Sequence, residues 1–134
     1  AVSVALLRPA PAVAAQSGYA VAETIPFDAA DIERRRAGGE AIFIDFTAAW
    51  CVTCQVNKLT VLSSKKVASA FDAAGVTFAV ADWTNRDETI TRALAELGRN
   101  GVPLYVLYDR SGQPTVLPEL LTENTVLAAL DKIQ

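Results

Sequence analysis

Three short apolar runs, separated by stretches of helical periodicity, organise this chain. Residues 41–46 are apolar except at Asp45, and residues 76–81 and 104–108 are similar runs. The first reads as a central strand buried on both faces, the second as another buried strand and the last as a third strand. Between and around them the apolar positions switch to helical spacing. Residues 27–37 predict a helix with Asp28 as cap, Ile32 as apolar anchor and Gly38-Gly39 as the stop. Residues 50–62 predict a second helix, with Val52, Val56, Leu59 and Leu62 at helical spacing. Residues 65–74 form a short helix ending at Gly75, and residues 87–97 another, with Ile90, Leu94 and Leu97 on one stripe and Gly98 past its end. Asp109-Arg110-Ser111-Gly112 reads as a hairpin turn answered by a strand over 115–117. The last helix covers 122–133, with Val126, Leu127, Leu130 and Ile133 facing inward and Thr122 or Glu123 near its cap.

The first half of this order supplies a βαβ unit with parallel strands, and the second half an antiparallel hairpin and a closing helix. The expected architecture is α/β: a central mixed sheet of four to five strands flanked by helices on both faces. Residues 1–18 are rich in Ala and Pro and end in Ser17-Gly18, which separates them as a linker from a globular part over 19–134. The apolar stretch 1–7 stops at Arg8-Pro9, far short of the roughly 20 residues that span a bilayer. It fits a plain tail, the stub of an upstream membrane helix, or a secretory-signal remnant with Ala12-Val13-Ala14 as its cleavage site.

Composition narrows the chemistry. The 134 residues are 51% hydrophobic and 20% charged, which suits one globular domain, and a net charge of −3 argues against a nucleic-acid partner. The chain has no histidine, so imidazole catalysis and a Cys–His pair are excluded. Its two cysteines, Cys51 and Cys54, are the only ones and sit two residues apart. A structural disulfide framework would spread its cysteines along the chain, and a zinc site would need further ligands that this sequence lacks. What remains is a dithiol that closes on itself and reopens.

Cys51 follows a strand and a short loop and opens a helix, where unpaired N–H groups and the helix dipole stabilise a thiolate. Such motifs bring a thiol from about 8.5 to roughly 3.5–7.5. Cys54, in the first turn, can reach Cys51 to close a short ring. The Cys51 thiolate would attack a substrate disulfide, and Cys54 would then displace the captured sulfur. Asp45 is a carboxylate in an apolar strand, where burial raises its pKa; the alternative is a solvated aspartate at a strand end or turn. Trp50, beside the nucleophile, would shield the motif and offer a contact surface. Trp83 follows a strand at the edge where sites gather in α/β folds, and it fits packing or a place near the site equally. Arg34-Arg35-Arg36 reads as a solvated helix face.

The stretch Phe43-Ile44-Asp45-Phe46-Thr47-Ala48-Ala49-Trp50-Cys51-Val52-Thr53-Cys54, with Asp82-Trp83-Thr84 and Gly101-Val102-Pro103-Leu104, resembles the thioredoxin superfamily over residues 25–133. More closely it is similar to the C-terminal periplasmic domain of DsbD-type transmembrane thiol:disulfide interchange proteins. The resemblance implies a thioredoxin-like fold and a protein-disulfide reductase whose working parts are Cys51, Cys54 and Asp45, with Asp45 accepting the Cys54 proton through water. It implies that the Val102–Pro103 bond is cis, lies against the sulfurs and leaves neighbouring backbone free to pair with substrate, so that Trp50, Val102 and Pro103 bind it; without it, Pro103 would be an ordinary trans proline at a strand start. A glutamate is common in such domains where Lys58 stands, and a lysine leaning toward the sulfur would lower the Cys51 pKa instead of raising it.

The implied protein needs no metal and no cofactor beyond the Cys51–Cys54 pair. It would be a monomeric domain on the periplasmic side of a bacterial inner membrane, taking electrons from an upstream membrane domain of the same longer protein and passing them to thiol–disulfide proteins. Alternatives are a free-standing periplasmic oxidoreductase, acting as oxidant or in cytochrome c maturation, and a binding module that keeps the motif for structure.

Overall fold

A computed structural model describes residues 18–134; the tail, membrane-stub and signal readings of the N-terminal segment fall on residues 1–17, outside the described residues. The elements run β1 (Ile25–Pro26), α1 (Ala29–Ala37), β2 (Ile42–Thr47), α2 (Val52–Asn57) continued by a π-helical turn (Lys58–Leu62), α3 (Lys65–Ala74), β3 (Thr77–Asp82), α4 (Glu88–Glu96), β4 (Leu104–Tyr108), β5 (Pro114–Val116) and α5 (Glu123–Lys132). The sheet order is β1-β3-β2-β4-β5. β1 and β2 lie parallel to β3, whereas β4 is antiparallel to β2 and β5 to β4. The sheet is thus mixed and five-stranded. The strand that pattern alone overlooks is β1, whose two residues are too few to show a period; it is extended by the Phe27 N–H donating to the Val80 carbonyl at 2.9 Å.

Every residue of β2 is buried, as a central strand between two helical layers requires. Its alternate residues feed two cores. Phe43 joins Val61, Leu62, Val67, Phe71, Tyr105 and Leu130 on the face covered by α2, α3 and α5. Ile42, Ile44 and Phe46 join Ile32, Ile90, Leu94 and Val106 beneath α1 and α4. The side-chain period of two places Asp45 on the Phe43 face, beneath the helix that carries the cysteines.

Local chemistry sets most boundaries. The side chains of Asp28, Ser64, Asp87 and Thr122 cap α1, α3, α4 and α5 by accepting from backbone N–H groups of the first turn. Gly75 ends α3 at φ +67°, a left-handed cap that favours glycine. Asp109 Oδ1 accepts from the N–H groups of Ser111 and Gln113, which builds the β4–β5 turn.

Four readings of the sequence need correction. The helix expected over 50–62 is α-helical only to Asn57; the Thr60 and Ser63 hydroxyls donate to the carbonyls of Val56 and Leu59, side-chain bonds of the kind that loosen a helix ladder. Its apolar stripe points outward, with Val52 76%, Val56 40% and Leu59 74% exposed, while Cys54, Asn57, Val61 and Leu62 face the core. In α5 only Val126 and Leu130 are buried, and Leu127 and Ile133 are half-buried. The arginine run is not one solvated face: Arg35 pairs with Asp31 and Glu40, and the Arg36 guanidinium lies 4.0 Å over the Tyr108 ring.

Asn57 is the polar residue on which the core face of α2 depends. It is fully buried, donates to the Tyr105 hydroxyl at 2.8 Å and to the Glu119 carbonyl at 2.7 Å, and accepts from the Leu121 N–H at 3.0 Å. These bonds tie the end of α2 to β4 and to the loop entering α5. Replacing Asn57 with Ala strands two buried polar groups, the Tyr105 hydroxyl and the Leu121 N–H, each worth about 1–3 kcal/mol, and frees the half-buried Glu119 carbonyl. Urea titration of Asn57→Ala should show a loss on the order of 3 kcal/mol; an unchanged midpoint would remove Asn57 from the structural account.

Candidate functional site

The site forms where β2 ends and α2 begins. Thr47 closes the strand by accepting from the Trp83 N–H at 2.7 Å, and one turn later the Cys51 N–H donates to the Ala48 carbonyl at 3.2 Å. The Gln55 amide donates to the same carbonyl at 3.0 Å. Strand, loop and helix start are thereby locked within five residues. Cys51 caps α2, its Sγ accepting from the Cys54 N–H at 3.2 Å. That N–H and the dipole of the helix favour negative charge on this sulfur once the pair is reduced.

Cys51 and Cys54 are joined as a disulfide, with their Cα atoms 5.2 Å apart. Cys51 is 7% exposed and Cys54 2%, so the residue that caps the helix is also the more exposed of the two. Ala48 packs with the pair, and Val102 closes on it from the loop before β4. The Val102–Pro103 peptide is cis, and Pro103 is buried. The structure thus brings together Cys51, Cys54 and Val102, with Pro103 adjoining.

Trp50 forms the outer lip. It is 47% exposed, and its indole N–H donates to the Thr84 carbonyl at 3.0 Å. The Ala49 N–H donates to Thr84 Oγ1 at 2.9 Å, so Asp82-Trp83-Thr84 splints the loop that presents Cys51. Trp83 serves both of its expected readings: it is buried in the core under α4, donates to Thr91 Oγ1 at 2.8 Å, and packs against Trp50 with ring centroids 5.9 Å apart. Arg86, at φ +53°, sets its guanidinium 4.8 Å over the Trp50 ring and 5.3 Å over that of Trp83.

Asp45 is 2% exposed. Oδ2 accepts from the Tyr19 hydroxyl at 2.7 Å, and among the described residues nothing donates to Oδ1. Burial raises its pKa, the Tyr19 hydrogen bond and the Lys58 charge oppose that rise, and the result is a carboxyl pushed up to about 6. The Lys58 ammonium lies 4.8 Å over the Tyr19 ring, and its charge acts on Asp45. Sequence reasoning missed Tyr19, Asn57 and Arg86, and gave Thr84 only as part of a motif. The spacing of Cys54, Asn57 and Val61 could have marked the inner face of α2; no local signal marks Tyr19. Among the described residues no cluster of His, Cys, Asp or Glu could hold a metal ion.

A closed Cys-x-x-Cys pair at a helix start, against a buried Val-Pro loop in a mixed sheet, defines a thiol–disulfide oxidoreductase of the thioredoxin class. The profile of the thioredoxin-like family matches residues 26–110, and the chain belongs to that family. No curated protein matches it significantly. Among solved structures it is similar in fold to the C-terminal domain of Neisseria meningitidis DsbD. The oxidised form has 19% identity and a TM-score of 0.67, covering 84% of this chain and 100% of that one. The reduced form has 19% identity and a TM-score of 0.66, covering 82% and 100%. A thioredoxin from Thermus thermophilus has 17% identity and a TM-score of 0.63, covering 82% and 86%.

The buried carboxyl makes stability depend on pH. The folded protein holds the Asp45 proton up to about pH 6, whereas the unfolded chain releases it near 3.8. Between these values the folded state binds more protons, so this contribution is complete below 3.8 and is lost as pH rises through 6. Relative to Asp45→Asn, the oxidised wild-type protein should lose about 3 kcal/mol between pH 3 and pH 7 in urea titrations. Parallel profiles for the two proteins would contradict the buried, elevated carboxyl.

Proposed function

We propose that this chain is a protein-disulfide reductase domain on the periplasmic side of a bacterial inner membrane, receiving electrons from a membrane-embedded partner segment and delivering them to disulfides of exported proteins. The observation that carries the reading is the setting of Cys51: the more exposed residue of a closed pair, packed by Val102 and rimmed by Trp50, with Val52, Val56 and Leu59 exposed along the helix behind it. An apolar stripe beside a nucleophile suits a protein segment as substrate better than a small polar molecule. Likeness in fold to the DsbD C-terminal domain supports the choice of membrane partner and compartment. Among the described residues no helix is long and apolar enough to cross a membrane.

The chemistry follows from the side chains. In the reduced domain the Cys51 thiolate attacks one sulfur of a substrate disulfide, forming a mixed disulfide and releasing a substrate thiolate. Asp45 takes the Cys54 proton, directly or through water. The Cys54 thiolate attacks Cys51 Sγ, the Cys51–Cys54 bond forms, and the second substrate thiolate leaves. Two electrons pass from the dithiol to the substrate. Val102 and Pro103 present the backbone that an extended substrate can pair with, and Trp50 covers the exchanging sulfurs.

A second reading, a free-standing oxidoreductase working in the oxidising direction, draws on Lys58, which stands where DsbD-type domains commonly carry glutamate. The reduction potential separates the two, since reductants of this class lie near −270 mV and strong oxidants near −120 mV. For the reductase, Cys51→Ser should abolish insulin reduction, Cys54→Ser should accumulate the mixed disulfide, and equilibration with glutathione should place the pair toward the lower potential. Turnover by Cys51→Ser, or a potential near −120 mV, would overturn the assignment.

A further inference from the structure

Residues 18–24 run as a strap over the edge of the α2 layer before β1 begins. The Ala20 N–H donates to the Leu62 carbonyl at 2.9 Å, anchoring the strap to the end of the π turn. Tyr19 enters the core beside this anchor, its ring 5.0 Å from that of Phe78 and its hydroxyl 2.7 Å from Asp45 Oδ2. Lys58 completes the arrangement. Its ammonium covers the Tyr19 ring, and its stem runs so close to Gly18 that a Cβ there would stand 2.7 Å from Lys58 Cδ. Strap, lysine and carboxyl thus form one stack reaching from the surface to the central strand.

We propose that Tyr19 is a positioning residue for disulfide exchange: its hydroxyl holds Oδ2 of Asp45, leaves Oδ1 to receive the Cys54 proton, and makes the strap the element that governs when this proton moves. The inference rests on the reading of Asp45 as the base for Cys54. A tyrosine donating to one carboxylate oxygen fixes the plane of the group and stabilises its charged form. Lys58, above the ring, works in the same direction through its charge. Tyr105, the cross-strand neighbour of Asp45 on β4, feels its charge, and Asp82, at the end of β3, acts on the Tyr19 hydroxyl. α1 and α4 cover the opposite face of the sheet. Of Tyr19, Lys58, Tyr105 and Asp82, only Tyr19 lies on neither a strand nor a helix, so lifting the strap removes this hydrogen bond.

The test uses the full chain, reduced, mixed with one equivalent of 5,5′-dithiobis(2-nitrobenzoate) and followed between pH 5 and 8.5. The first aryl thiolate leaves as Cys51 forms the mixed disulfide. The second leaves as Cys54 gives up its proton and attacks Cys51, closing the ring. In the wild-type protein the second phase should show an inflection near the carboxyl's value of about 6. Tyr19→Phe keeps the ring and its packing but removes the donor. It should move that inflection up by about one pH unit and slow the second phase on the order of tenfold below it, with the first phase unchanged. Lys58→Met should move it the same way, and Asp45→Asn should erase it. If Asp45→Asn erases the inflection and Tyr19→Phe leaves it in place, Tyr19 is only a packing residue and the inference fails while the base stands. If Asp45→Asn retains the wild-type inflection, the assignment of Asp45 as the base fails, and the role of Tyr19 with it.

Discussion

A carboxyl group buried in the central strand is the constraint around which the site is arranged. Asp45 occupies a position on β2 where every neighbour in the strand is apolar or small and solvent is excluded. Burying a charge without partners is expensive, and the usual escape is neutralisation or pairing. This chain uses part of each: burial pushes the proton onto the group, while the Tyr19 hydroxyl and the Lys58 ammonium draw it off. Tyr19 on the strap and Lys58 in the π turn both help to accommodate that one side chain.

The layering of the fold was largely legible because strands buried on both faces leave continuous apolar runs, and because Asp28, Asp87, Thr122 and Gly75 punctuate helices in the expected places. The cysteine pair was legible for a different reason: two adjacent thiols in a chain with no histidine have few chemical uses. What escaped were contacts between residues far apart in sequence. Tyr19 and Asp45 are 26 residues apart, Asn57 and Leu121 are 64 apart, and neither pairing leaves a periodic trace. Helical spacing set Lys58 two turns from Cys51 along one face, but not that the residue would stand in a π turn with its ammonium over the Tyr19 ring.

The inverted patterning of α2 has a common cause with the site. A helix whose apolar residues point outward and whose asparagine points inward breaks the rule that seats helices on sheets. The inner face must accommodate Cys54 and reach the loop before α5, which Asn57 does with three hydrogen bonds, while the outer face beside Cys51 carries Val52, Val56 and Leu59. Local rules fail most visibly where a protein does its work, and here the failure coincides with the helix that presents the nucleophile.

On the proposed role of Asp45 as the base for Cys54, the raised carboxyl bears on rate as well as stability. A thiol ordinarily ionises near 8.5 and an ordinary aspartate near 3.9, so proton transfer between them in water is uphill by nearly 5 pH units, roughly 6 kcal/mol. With Asp45 at about 6, the gap to an ordinary thiol shrinks by about 2 units, roughly 3 kcal/mol or a hundredfold in the population of the ionised Cys54 and protonated Asp45 pair. Raising the carboxyl much further would keep it protonated at neutral pH and remove it as an acceptor. The efficient base lies close to the working pH, so burial alone would overshoot. Tyr19 and Lys58, which pull in the opposite direction, hold the group at about 6, within reach of a neutral working pH.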